Sequence, residues 1–141
     1  MATTIQINST IEAPAEQLYP YFSDLEKFGE LHPLIKSVKK FNDGLILVTE
    51  HIPLIGTLGF DNKYVVEVIA SPLNKVTYKI RLPLWVRLTI DFSFVPSNAI
   101  PTVLTETIVI KGIFPARLVL GVMIKKYHQM ILDELKAQYT K

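Results

Sequence analysis

The sequence predicts an α+β fold in which one antiparallel sheet is covered by a long C-terminal helix. Three observations predict it. From Gly112 to Lys141 a Gly-Ile-Phe-Pro break is followed by an uninterrupted helical pattern, too apolar to lie exposed on all sides. Ahead of it, from Ile35 to Lys111, strand-length segments alternate apolar and polar residues with the period of two of a half-buried strand. The turns between these segments are too short for the crossovers that parallel strands need, so the sheet is antiparallel. A helix against one face of such a sheet makes a two-layer domain.

Thr3–Glu12 is the first strand, with Ile5, Ile7, Ser9 and Ile11 alternating against Gln6, Asn8 and Thr10. Ala13-Pro14 ends it, and a proline fits the opening of the short helix that follows, with Leu18, Tyr21 and Phe22 on one face. Ser23-Asp24-Leu25-Glu26 reads as a capping box, Ser23 capping a second short helix that stops before His32-Pro33. Asn42-Asp43-Gly44 then marks a hairpin between Ile35–Phe41 and Leu45–Ile52. A turn at Pro53–Gly56 leads into Thr57–Ile69, where Phe60, Tyr64, Val66 and Val68 share a face. Another at Ser71-Pro72-Leu73-Asn74 leads to the cleanest alternation in the chain. There Val76, Tyr78, Ile80 and Leu82 oppose Thr77, Lys79 and Arg81, and after Pro83 the set Val86, Leu88, Ile90, Phe92 and Phe94 opposes Arg87, Thr89, Asp91 and Ser93. A loop at Pro96–Pro101 precedes the last strand, Thr102–Lys111.

Composition narrows the function classes. At 141 residues the chain is one domain, 1–141, long enough to bury a core without metal or disulfide support. Apolar residues reach 49% with 20% charged, so there is apolar surface for a greasy core or for a lined cavity. Cysteine is absent, and the three histidines stand at no metal-ligand spacing, so neither a disulfide framework nor a metal site is expected. A formal charge of +2 is too mild for nucleic acid, and Lys36, Lys39 and Lys40 have no interleaved aromatics that would stack bases. The opening Met-Ala-Thr-Thr-Ile has neither the basic start nor the apolar core of a secretory signal, and no apolar run approaches the ~20 residues of a membrane span. A cytoplasmic protein with no stable membrane insertion is the expectation. Ile113, Phe114 and Leu118, flanked by Arg117 and Lys125-Lys126, could touch a lipid surface transiently or simply pack the start of the helix.

Ile11-Glu12-Ala13-Pro14-Ala15-Glu16-Gln17-Leu18-Tyr19, followed by Phe22-Ser23-Asp24-Leu25, resembles the opening of the Bet v 1-like, or START/SRPBCC, superfamily. Phe28-Gly29-Glu30-Leu31-His32-Pro33 matches the family's following Trp-x-Pro segment only approximately, because the tryptophan is missing. The resemblance spans essentially the whole chain. It implies a helix-grip fold: a curved seven-stranded antiparallel sheet wrapped around the long C-terminal helix, with two short helices between strands one and two and an apolar tunnel inside. It also implies a choice of functions, since such folds serve carriers, cyclases, hydrolases and adaptors.

Within that frame the residues point to a hydrophobic small-molecule ligand such as a lipid, an isoprenoid or an aromatic polyketide, with no cofactor. The candidate ligand-binding set is Phe60, Asn62, Tyr64, Tyr78, Phe92, Glu106, Met123, Tyr127 and Met130. The tyrosines and Asn62 supply polar handles in an apolar wall, which is the composition of a ligand site. On the last helix Leu120, Met123, Tyr127, Met130, Ile131 and Leu135 follow the 3.6 period, and methionine adapts to varied partners. The same stripe would serve equally as plain core. Glu106 is in phase with Leu104, Ile108 and Ile110, so alternation aims its carboxylate inward unless a bulge turns it to solvent. Glu50 and His51 must face opposite sides, so one of them points in. His32 reads as a solvated loop histidine. Gly121 marks either a close approach to the short helices or an incidental glycine. Arg81, Arg87, Lys79 and Asp91 read as ordinary cross-strand pairs on the outer face. No Gly-rich phosphate loop or nucleophile elbow occurs. The expectation is therefore a binding protein. One alternative is a cyclase- or hydrolase-like enzyme drawing on Glu106, His51 or Tyr78, and the other is a protein–protein adaptor like the superfamily's Hsp90-activator or toxin-like members.

Overall fold

Ten elements follow one another in the computed structural model: β1 (Ala2–Ile11), α1 (Ala15–Ser23), α2 (Leu25–Leu31), β2 (Ile35–Lys40), β3 (Leu45–Ile55), β4 (Leu58–Ser71), β5 (Lys75–Arg81), β6 (Arg87–Val95), β7 (Thr102–Lys111) and α3 (Phe114–Tyr139). It describes residues 2–41, 43–55, 58–71, 75–82, 85–95 and 100–140, with backbone alone at 53–55 and 114. The turn residues Asn42, Gly56, Thr57 and Pro72-Leu73-Asn74, the break at Pro83, and loop positions 96–99 lie outside the described residues.

All neighbouring strands are antiparallel, in the order β1-β7-β6-β5-β4-β3-β2. The chain thus lays down a meander from β2 to β7 and closes it with β1, and α3 crosses the concave side. This is the helix-grip fold. Alternation predicts the inner face correctly: Val76, Tyr78 and Ile80 on β5, Leu88, Ile90, Phe92 and Phe94 on β6, and Leu104, Ile108 and Ile110 on β7 are all buried. At the first hairpin, Gly44 takes the positive φ of 83° that the turn requires, and Asp43 Oδ1 accepts from the Leu45 amide at 3.2 Å.

Several local readings are corrected. The cap of α2 is Asp24, whose Oδ1 accepts from the Glu26 amide at 3.0 Å, because Ser23 is still the last residue of α1. Pro53 sits inside β3 rather than in a turn, at a place where the register shifts. On the outer face Arg81 stands opposite Arg87 and Lys79 opposite Thr89, while Asp91 accepts from Thr77 at 2.5 Å and meets Lys75 at 3.9 Å. Gly121 approaches β1 and β7 instead of the short helices. A Cβ there would lie 3.3 Å from Ile5 and 3.7 Å from Ile110.

The buried seam of α3 runs through Arg117, Gly121, His128, Ile131, Leu132 and Leu135. It is rotated by about one residue from the stripe of obvious apolar side chains. Arg117 therefore points inward, its Nη1 donating to Thr3 Oγ1 at 3.0 Å, and does not flank a surface patch.

Candidate ligand-binding cavity

Between the sheet and α3 lies a cavity walled by Val48, Val66, Ile80, Leu88 and Ile90 from the strands and by Leu120, Met123 and Ile124 from the helix. Leu25 and Phe28 of α2, with Leu34, Ile35, Ile52 and Leu82, complete the apolar lining. The centre of a water-sized sphere can range through about 90 Å³ there, several times the ~10–15 Å³ that one water needs on that measure. Seven further lining residues are polar or ionisable and come from β3, β4, β5, α3 and the end of α2: Glu50, Asn62, Tyr64, Tyr78, Tyr127, His128 and His32.

His32 lies just beyond α2 and is buried. Its Nδ1 accepts from the Leu34 amide at 3.1 Å, so the ring proton of the neutral form sits on Nε2. That nitrogen is 3.8 Å from Glu50 Oε1. Burial, reinforced by the charge on His128, lowers the His32 pKa to about 3, and the ring is neutral at physiological pH. Glu50 projects inward from β3 beside β4. Burial raises its pKa, against the opposing pull of the Tyr64 hydrogen bond and of the charge on His128. The Tyr64 hydroxyl donates to Glu50 Oε1. Its pKa is pushed well above the ordinary phenol value, first by burial and then by the Glu50 charge, so the phenol keeps its proton.

A second pair lies deeper. Glu106, on β7 between Phe92 and Ile7 in the neighbouring strands, has its Oε2 hydrogen-bonded to Nδ1 of His128, and both residues are buried. Holding Nδ1 in this way leaves Nε2 as the ring nitrogen free to serve the cavity. The two histidine rings meet edge to face at 5.6 Å, and Tyr127 stacks over His32 at 6.4 Å. The cavity thus places acids, bases and neutral donors around an apolar volume, where hydrogen bonds and proton transfers are not diluted by bulk water. Among the described residues no three of His, Cys, Asp and Glu gather as a metal-holding group.

Of the residues singled out from sequence, Asn62, Tyr64, Tyr78, Met123 and Tyr127 come together on the cavity wall. Glu106 reaches it through His128. Tyr78 also donates to the Phe22 carbonyl at 2.5 Å, which ties the wall to α1. Three lie elsewhere. Phe60 is half exposed near the start of β4, where β3 and β4 run on past the end of β5. Phe92 is fully buried among Phe22, Phe28 and Tyr78. Met130 is exposed beside Tyr21 and Leu31, because it falls on the side of α3 away from the His128 seam. His51 faces out and meets Asp61 at 3.0 Å, so Glu50 is the inward member of that pair.

Sequence reasoning missed His32 and His128 as site residues. For His128 a signal existed: spacings of four, three and four join Ile124, His128, Ile131 and Leu135, provided a histidine is admitted to the apolar face. For His32 there was none, because its burial depends on α2 folding back against β2 and α3.

No family model and no curated protein matches the chain in sequence. Solved structures do match in shape. The chain is similar to the Zhui aromatase/cyclase from Streptomyces sp. R1128, with a TM-score of 0.71 and 15% identity over 99% of this chain and 94% of that one. It is similar to a START superfamily protein from Mycobacterium smegmatis, with a TM-score of 0.73 and 17% identity over 97% and 99% of the two chains. Ara h 8.0201 gives 0.72 and 16% over 99% and 98%. These likenesses establish a shared fold: that of the Bet v 1-like, START and aromatase/cyclase proteins.

Proposed function

We propose that this protein, a helix-grip chain of the Bet v 1-like and START architecture, binds a compact hydrophobic small molecule bearing one hydroxyl or carbonyl group. A lipid, isoprenoid or aromatic polyketide-like compound fits that description. The observation that carries the reading is the cavity's division into an apolar wall and a polar corner, where Glu50, Tyr64, His32 and Asn62 converge. Apolar burial at roughly 25 cal/mol per Å² supplies the affinity, and the polar corner supplies orientation. A neutral His32 Nε2–H beside Glu50, a carboxyl that would repel a second one, favours a neutral polar group over a ligand carboxylate.

Titration calorimetry with a long-chain alcohol, an isoprenoid alcohol and a polycyclic phenol tests this against wild type and Glu50→Gln. At least one compound binds, and the variant weakens it by about three- to tenfold, the value of one hydrogen bond. Failure of all three to bind, or an unchanged affinity in Glu50→Gln, refutes the polar-corner reading.

A second reading, acid–base catalysis on the bound molecule, is favoured by the Glu106–His128 pair, which leaves one imidazole nitrogen for the cavity. Turnover of a bound compound that ceases in His128→Gln would distinguish it from simple carriage.

A further inference from the structure

The outer face of the sheet carries a feature that the cavity does not use. Arg81, Arg87 and Lys111 are direct cross-strand neighbours on β5, β6 and β7, and all three are exposed. Like charges placed opposite one another weaken a sheet. Among the described residues none of the three forms an ion pair. The row lies at one end of the sheet, where Arg81 and Arg87 close onto the β5–β6 connection and Lys111 leads into α3.

The cationic row borders an exposed aromatic side chain in the β5–β6 connection, where Trp85 lines the same shallow surface depression as Arg81 and Arg87. Trp85 is 92% exposed and held at a φ of 60°, a left-handed turn position that glycine or asparagine would occupy more easily. Ile113, two residues beyond Lys111, is exposed as well. Large apolar side chains gathered beside unpaired cations mark an interaction surface. Tryptophan with arginine and lysine is the pairing suited to the headgroup layer of a membrane.

We propose that this end of the molecule docks on the surface of an anionic lipid bilayer. Trp85 and Ile113 enter the headgroup region, and Arg81, Arg87 and Lys111 meet lipid phosphates. Docking is peripheral, since no helix among the described residues is long and apolar enough to cross a membrane. The surface itself stands on residues outside the cavity, and its test needs no ligand.

Trp85 is the chain's single tryptophan and therefore its own reporter. The purified protein is mixed with vesicles of phosphatidylcholine or of phosphatidylcholine with phosphatidylglycerol, following tryptophan emission and co-sedimentation. Blue-shifted emission, quenching by brominated acyl chains and sedimentation occur with the mixed vesicles and fade as added salt shortens the screening length. Reversing charge in Arg81→Glu/Arg87→Glu lowers partitioning at least tenfold, given about fivefold per basic residue, while an unchanged melting curve confirms folding. Trp85→Ser, which leaves the charges in place, lowers partitioning without abolishing its salt dependence. Unshifted emission with anionic vesicles overturns the proposal, as does equal binding to both vesicle types. A blue shift that grows with protein concentration and needs no vesicles also overturns it, assigning the patch to a second copy of the chain.

Discussion

The two ends of the space beneath α3 are built from the same alternation and come out differently. Toward α1 it is solid: the Phe22 ring lies 4.6 Å from Phe92 and 5.6 Å from Phe94, while Phe28 of α2, 5.8 Å from Phe92, stands between these rings and the cavity it lines. Farther along the same strands, the inward row Val66, Ile80, Leu88 and Ile110 is aliphatic, and a cavity remains. Between these two rows stands the one containing Tyr78 and Ile90, with Tyr78 touching both the rings and the cavity. Side-chain size, row by row, decides whether a sheet and helix close into core or leave a container. The solid end supplies stability, and the hollow end gathers His32, Glu50, Asn62 and Tyr64, polar groups that packing alone would not retain.

The strongest way to break this division is Phe92→Ala. Removing a fully buried ring from the solid end costs about 3–5 kcal/mol, read as a fall in the urea midpoint. Affinity for a cavity ligand should stay within about twofold, and a loss of affinity in step with stability would show that the two ends are one unit.

A smaller effect sharpens the contrast from the hollow end. His32 has a native pKa of about 3 against the ordinary 6.5. As pH falls below 6.5 the unfolded chain takes up a proton that the native ring refuses, so stability present in full above 6.5 is lost progressively down to about pH 3. Glu50, raised above its ordinary 4.5, works in the opposite sense: its contribution is complete below 4.5 and is lost as pH rises through its native value. Between pH 7.5 and 5, wild type should lose about 2 kcal/mol more than His32→Gln in urea titrations. Parallel pH profiles for the two proteins would mean that His32 is solvated in the native state.

The fold was legible because period-two alternation survives in every long strand and because one helix follows the last of them. The inward tyrosines and Glu106 were legible for the same reason, being set by strand phase. What escaped lay where phase is not the controlling variable. Whether Phe92 lines a cavity or fills one depends on the rings that α1 and α2 bring to it. The seam of α3 admits Arg117 and His128, each held by a hydrogen bond to a residue far away in sequence, Thr3 and Glu106. A reading that gives the buried face to the most apolar residues therefore turns the helix by about one position, and Met130 lands outside. The Asp24 cap slipped by one residue because α1 and α2 share it as their junction.

The central claim, that the hollow end is a ligand site, is tested most directly by native mass spectrometry of wild type and Met123→Trp, before and after incubation with the alcohols and phenol named above. Met123 is on the cavity wall, and an indole there fills the space. The account predicts a one-to-one adduct on wild type that is absent from Met123→Trp while both melt alike. An adduct of equal abundance on the filled variant, or no adduct on either, would contradict it.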